Sequence, residues 1–251
     1  MQRSWLAGRT TAINSTVSGY IDEGTSYLKL KEINDDLVAQ NKALMLELYG
    51  TDSMQIARQR NISETRGNQT QRYQIIDGEV VYNSINRRDN YFTINRGRKH
   101  GIDQGMGVIA PKGIAGIVVN TTNDYALVQS VLSANKIKIN AALKASGYFG
   151  TLTWRGGNAR IMNLGEVPKY VPLQVGDTVI TDGKSAIFPE GIMVGKVAGY
   201  QVDQKTGFWD ISVELSETMG NIKKVYIVKN LKKAELQKIG DTLQSAMDKD
   251  E

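Results

Sequence analysis

The feature that most constrains the fold of this chain is a leucine at every seventh position near its N-terminus. In a coiled-coil heptad such leucines occupy the d positions, and the facing a positions lie three residues before or four residues after them. The d residues are Leu30, Leu37 and Leu44, and the a residues are Tyr27, Asn34, Asn41 and Leu48. Asparagine at a favours parallel pairing of two strands in fixed register. Since a coiled coil needs a second helix, the spacing predicts a homodimer.

The helix that carries this stripe of a and d residues is expected over residues 20–56. Proline is absent from residues 10–50, and Tyr49-Gly50 is typical of a helix C-terminus. The stripe covers about three heptads, which is marginal for an isolated coil. An amphipathic helix packed on its own domain would also show an apolar stripe. The coiled coil is the favoured interpretation because the flanking residues are strongly polar and leave only a narrow surface to bury.

From residue 73 onward the apolar pattern has a period of two, which indicates β-strands. Asp77-Gly78 lies between two such runs and predicts a two-residue hairpin turn. Short β segments separated by turn residues about every ten positions are typical of sandwiches and barrels. The expected fold is mainly β, with an N-terminal coiled-coil helix and two small β-barrel-like domains. The expected parts are a membrane-proximal segment 1–19, the helix 20–56, a linker 57–72, β domains 73–150 and 151–230, either consecutive or interleaved, and a charged tail 231–251.

Two stretches of the β region resemble each other. Gly107–Ile109 is followed by Gly113–Val118, and Thr178–Ile180 is followed by Gly191–Val197. Each has a strand, a turn that ends in Gly-Ile, and a second strand that begins near glycine. Duplicated architecture and convergent turn chemistry both explain this likeness.

Residues for catalysis are scarce. The chain has no cysteine and a single histidine, His100, so a metal site would have to consist of carboxylates alone, and the acidic residues are scattered. Gly183-Lys184-Ser185 lacks the earlier glycine of a phosphate-binding loop. A protease on a β-barrel would need a serine beside His100, and no serine lies in such a sequence setting. The expectation is a protein that is not an enzyme and that uses no cofactor or metal.

The net charge of +5 is concentrated in residues 57–100. A solvated surface and a binding patch for an anionic partner or membrane both account for this segment. Aromatic residues are not interleaved with the basic ones, so no nucleic-acid partner is expected. Trp5 and Leu6 lie beside Arg3 and Arg9, a pattern typical of a membrane–water boundary, and no stretch is apolar enough for a transmembrane helix.

Two long motifs carry a family resemblance. Residues 175–183 read Val-Gly-Asp-Thr-Val-Ile-Thr-Asp-Gly, and residues 187–197 read Ile-Phe-Pro-Glu-Gly-Ile-Met-Val-Gly-Lys-Val. Together with Gly101–Val119, they resemble the pattern of the rod shape-determining protein MreC family, with Asp182 where serine is usual and Met193 where proline is usual. The resemblance covers residues 20–230 and highlights six candidate motif or partner-binding residues. They are Gly183, Ile187, Phe188, Pro189, Gly191 and Gly195.

The resemblance implies a non-enzymatic, dimeric scaffold of the cell-elongation machinery. It implies anchoring in the bacterial inner membrane by one span that precedes this sequence, with the bulk in the periplasm. The implied partners are the elongation-specific penicillin-binding transpeptidase, RodA, MreD and, through MreD, MreB. A periplasmic adaptor-type protein and a degenerate β-barrel protease-like protein are the alternatives. For Phe188, burial as a core plug and exposure as a partner anchor are both open, and burial is favoured.

Overall fold

The computed structural model describes residues 29–49, 72–134, 137–233 and 235. Helix α1 spans residues 29–49, inside the range expected for the coiled-coil helix. The segment expected at 1–19, the linker up to residue 71, the seam residue Tyr27 and all but the start of the charged tail lie outside the described residues. Among the helices of the described ranges, none combines the length and the apolar character that a membrane span requires.

Twelve β-strands are the dominant regular structure of the described chain, which confirms the mainly β expectation. Two short 3₁₀ turns, Arg98–His100 and Met219–Asn221, lie between them. The strands are β1 Tyr73–Asn83, β2 Asp89–Ile94, β3 Gly107–Ala110, β4 Gly113–Thr121, β5 Ala126–Ser133, β6 Ile139–Leu143, β7 Phe149–Thr153, β8 Ile161–Pro168, β9 Thr178–Thr181, β10 Met193–Val202, β11 Phe208–Leu215 and β12 Lys224–Asn230.

The strands form two closed six-stranded barrels. The first has the order β1-β12-β3-β4-β5-β2 and the second the order β10-β11-β8-β7-β6-β9, and neighbours are antiparallel in both. Closure leaves no strand edge unpaired within either barrel. The expected architecture of two barrel-like units is therefore present.

The second barrel is inserted into the first. Strands β6 to β11 all belong to the second barrel, whereas β12 returns to close the first against β1 and β3. The domain boundary expected at residue 150 is therefore wrong, because β6 and the start of β7 precede it and β12 lies beyond the second barrel. The strand order is that of the interleaved alternative. Alternating apolar residues identify a strand but not the barrel in which it pairs.

The hairpin expected at Asp77-Gly78 is absent, since β1 runs unbroken through both residues. The first part of β1 pairs with β12, from Tyr73 opposite Asn230 to Glu79 opposite Lys224. Its last part pairs with β2 after a register shift. Gly78 fits this strand because a Cβ there would lie 3.2 Å from the Arg96 side chain. A Cβ on Gly78 would also lie 3.3 Å from the Ile227 side chain of β12, so glycine relieves crowding by two side chains within the strand.

Each barrel encloses its own apolar core. In β2, alternate residues point inward, and Phe92 and Ile94 are fully buried. The second barrel buries Leu152, Met162 and Val213 in the same way. Because successive side chains of a strand point to opposite faces, the period-two pattern decides which residues fill the barrel. These cores fix the strand ends and loops from which the functional surfaces are built.

Candidate functional site

His100, the candidate for acid–base chemistry, lies in the 3₁₀ turn Arg98–His100. Its Nδ1 accepts a hydrogen bond from the backbone N–H of Gly97 at 3.1 Å. The imidazole therefore closes the turn in which it lies. Among the described residues, no group of three potential metal ligands occurs.

The family motif forms the loop between β9 and β10, and Thr181 holds its two ends together. The buried Thr181 hydroxyl donates to the carbonyl of Pro189 at 2.5 Å and accepts from the N–H of Ile192 at 3.0 Å. The Thr181 carbonyl accepts the Gly191 N–H at 3.0 Å. One threonine side chain thus closes a loop of about ten residues, so the loop has a defined shape.

Phe188 lies at the tip of this loop and contacts the first barrel. It is 1% exposed, and Pro189 beside it is also buried. A Cβ on Gly107 of β3 would lie 2.7 Å from both the Ile187 carbonyl oxygen and the Phe188 ring. This is the placement that the core-plug interpretation expects. The plug fills the junction between the two barrels.

Strands β3 and β4 of the first barrel face the β9–β10 loop and strand β10 of the second barrel across the same junction. A Cβ on Gly113 of β4 would lie 2.7 Å from the carbonyl oxygen of Met193 in β10. The side-chain amide of Asn230 in β12 donates to the carbonyl of Ala186 at 3.2 Å. The absence of side chains at Gly107 and Gly113 therefore permits the two barrels to approach at backbone distance.

The motif glycines have separate structural roles. Gly183 and Gly191 have φ of +69° and +89°, in the left-handed region that favours glycine. Gly183 also packs against Glu190, since a Cβ there would lie 2.7 Å from the Glu190 Cβ. Gly195 lies where β10 approaches the backbone of Glu214 in β11. These requirements explain the glycines by backbone shape and packing alone.

A row of exposed aromatic side chains marks one end of the second barrel. It comprises Tyr148, Phe149, Tyr170, Tyr200 and Phe208, which we call the aromatic rim. Strands β7 and β11 begin there, and the antiparallel neighbours β8 and β10 end there. Phe208 pairs with Pro168, and Val202 pairs with Trp209, so the four strand ends are adjacent. The row therefore runs across neighbouring strands.

Ring contacts order the aromatic rim. Tyr148 and Tyr170 meet edge to face at 5.9 Å, and Tyr200 meets Trp209 in the same way at 5.1 Å. The Lys184 ammonium lies 3.0 Å from the centre of the Phe149 ring, in the position of a cation–π contact. A hydrogen bond with Tyr148 raises the pKa of the Tyr170 phenol. Tyr170 is nevertheless 73% exposed and Phe149 51% exposed.

Large exposed aromatic surfaces of this kind mark interaction sites on soluble domains. Aromatic residues are enriched in protein–protein interfaces, where their rigid rings bury much area at low entropic cost. The rim was not predicted from the sequence. The adjacent pair Tyr148-Phe149 was a visible signal, but joining it to Tyr170 and Phe208 required the strand order.

Helix α1 presents a second apolar surface. Its heptad leucines Leu30, Leu37, Leu44 and Leu48 are exposed on the helix, and so are Asn34 and Asn41. Ile33 is exposed as well, on the adjoining face. These side chains are available for pairing with another helix.

Residues 80–229 match the sequence model of a family described as rod shape-determining protein MreC, barrel core. A similar protein is the cell shape-determining protein MreC of Listeria monocytogenes, 22% identical over 215 residues, which cover 79% of this chain and 67% of the relative.

The fold recurs in solved structures of MreC proteins. A structure of MreC from Listeria monocytogenes superposes with a TM-score of 0.61 at 22% identity, covering 80% of this chain and 94% of that one. A complex between penicillin-binding protein PBP2 and MreC from Helicobacter pylori gives 0.51 at 13% identity, covering 63% and 99%. At these identities the structures establish the fold, and the sequence match over 80–229 identifies the family.

Proposed function

Because this chain belongs to the MreC family of cell shape-determining proteins, we propose that it is a non-enzymatic scaffold that organises and activates peptidoglycan synthases during bacterial cell elongation. The proposal places the described residues on the periplasmic side of the inner membrane. The family membership supports the role in cell shape. Two surfaces, the aromatic rim and the stripe of helix α1, provide means of assembly.

The proposed partner of the aromatic rim is the membrane-proximal, non-catalytic part of the elongation-specific penicillin-binding transpeptidase. The observation that carries this proposal is the row of exposed rings on four neighbouring strand ends. The relative from Helicobacter pylori was solved in complex with a penicillin-binding protein, which supports a partner of this class. The scaffold would act by population shift, since binding one conformer of the synthase more tightly raises its population.

The remaining parts of the proposal concern assembly. Helix α1 would pair with a second copy along Leu30, Leu37 and Leu44. Contacts to RodA and MreD, and through MreD to MreB, would connect the scaffold with the rest of the machinery. A single membrane span would anchor the protein. The family membership motivates these expectations.

The rim proposal is tested by measuring the affinity of the full chain for the elongation transpeptidase of the same bacterium. The variant Tyr170→Ser/Phe208→Ser removes two rings of the aromatic rim. The matched control, Val81→Ser/Tyr82→Ser, removes two similarly exposed side chains from the first barrel. Loss of two interface hot spots weakens binding by about 2 kcal/mol or more. Equal affinity for the rim variant, the control and the unchanged chain would exclude the rim as the docking surface.

A further inference from the structure

A cleft of about 840 Å³ separates two loops that belong to different barrels. One wall is the β1–β2 loop, with Ile85, Arg87 and Arg88. The other wall is the β7–β8 hairpin, including Trp154 and Arg155. We call this region the arginine cleft. It is separate from the aromatic rim, which lies at the start of β7, whereas the cleft lies beyond the end of β7.

Buried polar groups hold the loop that carries Arg87 and Arg88. The fully buried Asn90 side chain accepts the Arg87 N–H at 2.9 Å and donates to the Arg87 carbonyl at 2.8 Å. It also donates to the Leu132 carbonyl at 2.6 Å, and the Asn90 backbone exchanges hydrogen bonds with the Ser133 hydroxyl at 3.0 Å. A buried amide satisfied this fully fixes the backbone around it. The two arginines therefore project from a preorganised loop.

Neither arginine has an ion-pair partner among the residues that the structure describes. Within the described part of the chain, the guanidinium groups of Arg87 and Arg88 make no ion pair or hydrogen bond, and both side chains are exposed. Arg155 differs, since Asp210 holds it with two hydrogen bonds of 2.8 and 2.9 Å. No acidic residue is among the described residues that line the cleft. Asp89 follows Arg88 in the sequence, but it does not line the cleft, and one of its carboxylate oxygens is buried without a hydrogen-bond partner among the described residues.

The opposite wall leaves room for a ligand. The Trp154 Nε1–H donates to the Asn158 carbonyl at 3.0 Å, which fixes the indole within the hairpin. At the hairpin turn, Gly156 and Gly157 have φ of +91° and +81°, and a Cβ on either would meet no atom within 4 Å. Two cations that share one wall of a cleft focus the electric field there and raise the local concentration of anions.

From this geometry we propose that the arginine cleft binds a phosphodiester-bearing anion, with Arg87 and Arg88 as its ligands. A guanidinium presents N–H donors in a planar fork that matches two phosphate oxygens. Two neighbouring guanidinium groups on a fixed loop can bind two successive phosphates or bind one phosphate together. A phospholipid headgroup and a soluble polymer of glycerol phosphate carry the same chemistry. This inference is independent of the proposed docking of a transpeptidase.

The test measures binding of the full chain to four probes. They are vesicles of phosphatidylglycerol beside vesicles of phosphatidylcholine, soluble poly(glycerol phosphate), and poly-glutamate as an anion without phosphate. The variant Arg87→Glu/Arg88→Glu reverses the two charges of the cleft. The control Lys112→Glu/Lys205→Glu changes net charge equally at two exposed turns outside it. Arg87→Gln/Arg88→Gln removes the charge without adding acids.

The expected result is binding to phosphatidylglycerol vesicles or to poly(glycerol phosphate), weakened about tenfold or more in both arginine variants and within about threefold in the lysine control. Binding to phosphatidylglycerol vesicles alone assigns a lipid headgroup, and binding to the soluble polymer assigns a non-lipid source. Three outcomes overturn the proposal: no binding to either phosphatidylglycerol vesicles or poly(glycerol phosphate), equal loss in the arginine variants and the lysine control, or equally tight binding of poly-glutamate. Circular dichroism confirms that each variant is folded.

Discussion

At the scale of single residues, the junction of the barrels depends on one large buried side chain and on two glycines. Phe188 is buried by the first barrel although it belongs to a loop of the second, and Gly107 and Gly113 leave space for the loop backbone. The sequence motif identifies these residues, and glycine spacing predicts tight turns. The sequence does not show that Gly107 and Gly113 contact the β9–β10 loop and β10, because these segments are far apart in sequence.

Replacing Phe188 with alanine should destabilise the chain. Removing a buried phenylalanine leaves a cavity at the junction, and such changes cost about 3–5 kcal/mol. Thermal and denaturant unfolding measure the loss. Phe149→Ala is the matched control, because this ring is 51% exposed and its removal should change stability by less than about 1 kcal/mol. A melting temperature of Phe188→Ala equal to that of the control would show that Phe188 is not a plug.

Glu79 gives the closure of the first barrel a pH dependence. Its carboxylate lies 2.7 Å from the Lys224 ammonium, and this hydrogen bond holds the pKa of Glu79 below its ordinary value. A lowered pKa stabilises the fold above the pKa of the unfolded state, and the contribution disappears as the pH falls through the folded pKa.

Glu79→Gln should therefore reduce the free energy of unfolding near neutral pH and leave it unchanged in strong acid. The pair is partly exposed, so the difference should stay below about 1 kcal/mol. A double-mutant cycle with Lys224→Gln, measured at both pH values, isolates the pairwise coupling. A coupling that persists undiminished below the pKa of Glu79 would contradict this assignment.

At the scale of secondary-structure elements, the sequence predicts the existence of elements well and their partners poorly. Helix α1 and the alternating strand β11 follow from local periodicity, because burial of one face determines the residue pattern. The turn predicted at Asp77-Gly78 is wrong, because the two apolar runs on either side of it belong to one long strand, β1. This strand pairs first with β12 and then with β2. A local sequence pattern also does not predict that β12 pairs with β1. Nor does it predict which strand ends lie side by side to form the aromatic rim.

Helix α1 should mediate dimerisation of the whole chain. Leu37 and Leu44 are 51% and 55% exposed on the helix, and aspartate at both d positions would place charge in the expected seam. Leu37→Asp/Leu44→Asp should give a folded monomer, because each barrel has a separate core. Light scattering measures the mass. Ala39→Asp/Ala43→Asp, on outward heptad positions, should leave the mass unchanged, whereas an unchanged mass for the leucine variant would exclude the seam.

At the scale of the whole molecule, the insertion makes the barrels unequal. The second barrel is a continuous stretch from β6 to β11, whereas the first is assembled from both sides of it. Composition and strand count predict two barrel-like units. They cannot predict which one is discontinuous, because the energetic preference of β12 for β1 and β3 arises from side chains distributed over both ends of the β region.

A fragment of residues 137–217 should therefore fold, whereas a fragment of residues 72–134 should not. The first contains every strand of the second barrel, but Phe188 loses its cover, so its melting temperature should be lower than that of the full chain. The second lacks β12, which leaves the edges of β1 and β3 unpaired. Circular dichroism and amide chemical-shift dispersion distinguish the outcomes. A cooperative unfolding transition in the 72–134 fragment would contradict this argument.

The pairing of β1 with β12 also sets an order in time. A chain made from its N-terminus exposes β1 early, but the strand that completes its barrel emerges only after all of the second barrel. During synthesis, domains that are already complete fold first. The second barrel therefore has all of its strands before the first does, and a chain that ends before residue 224 contains every strand of the second barrel but lacks β12 of the first.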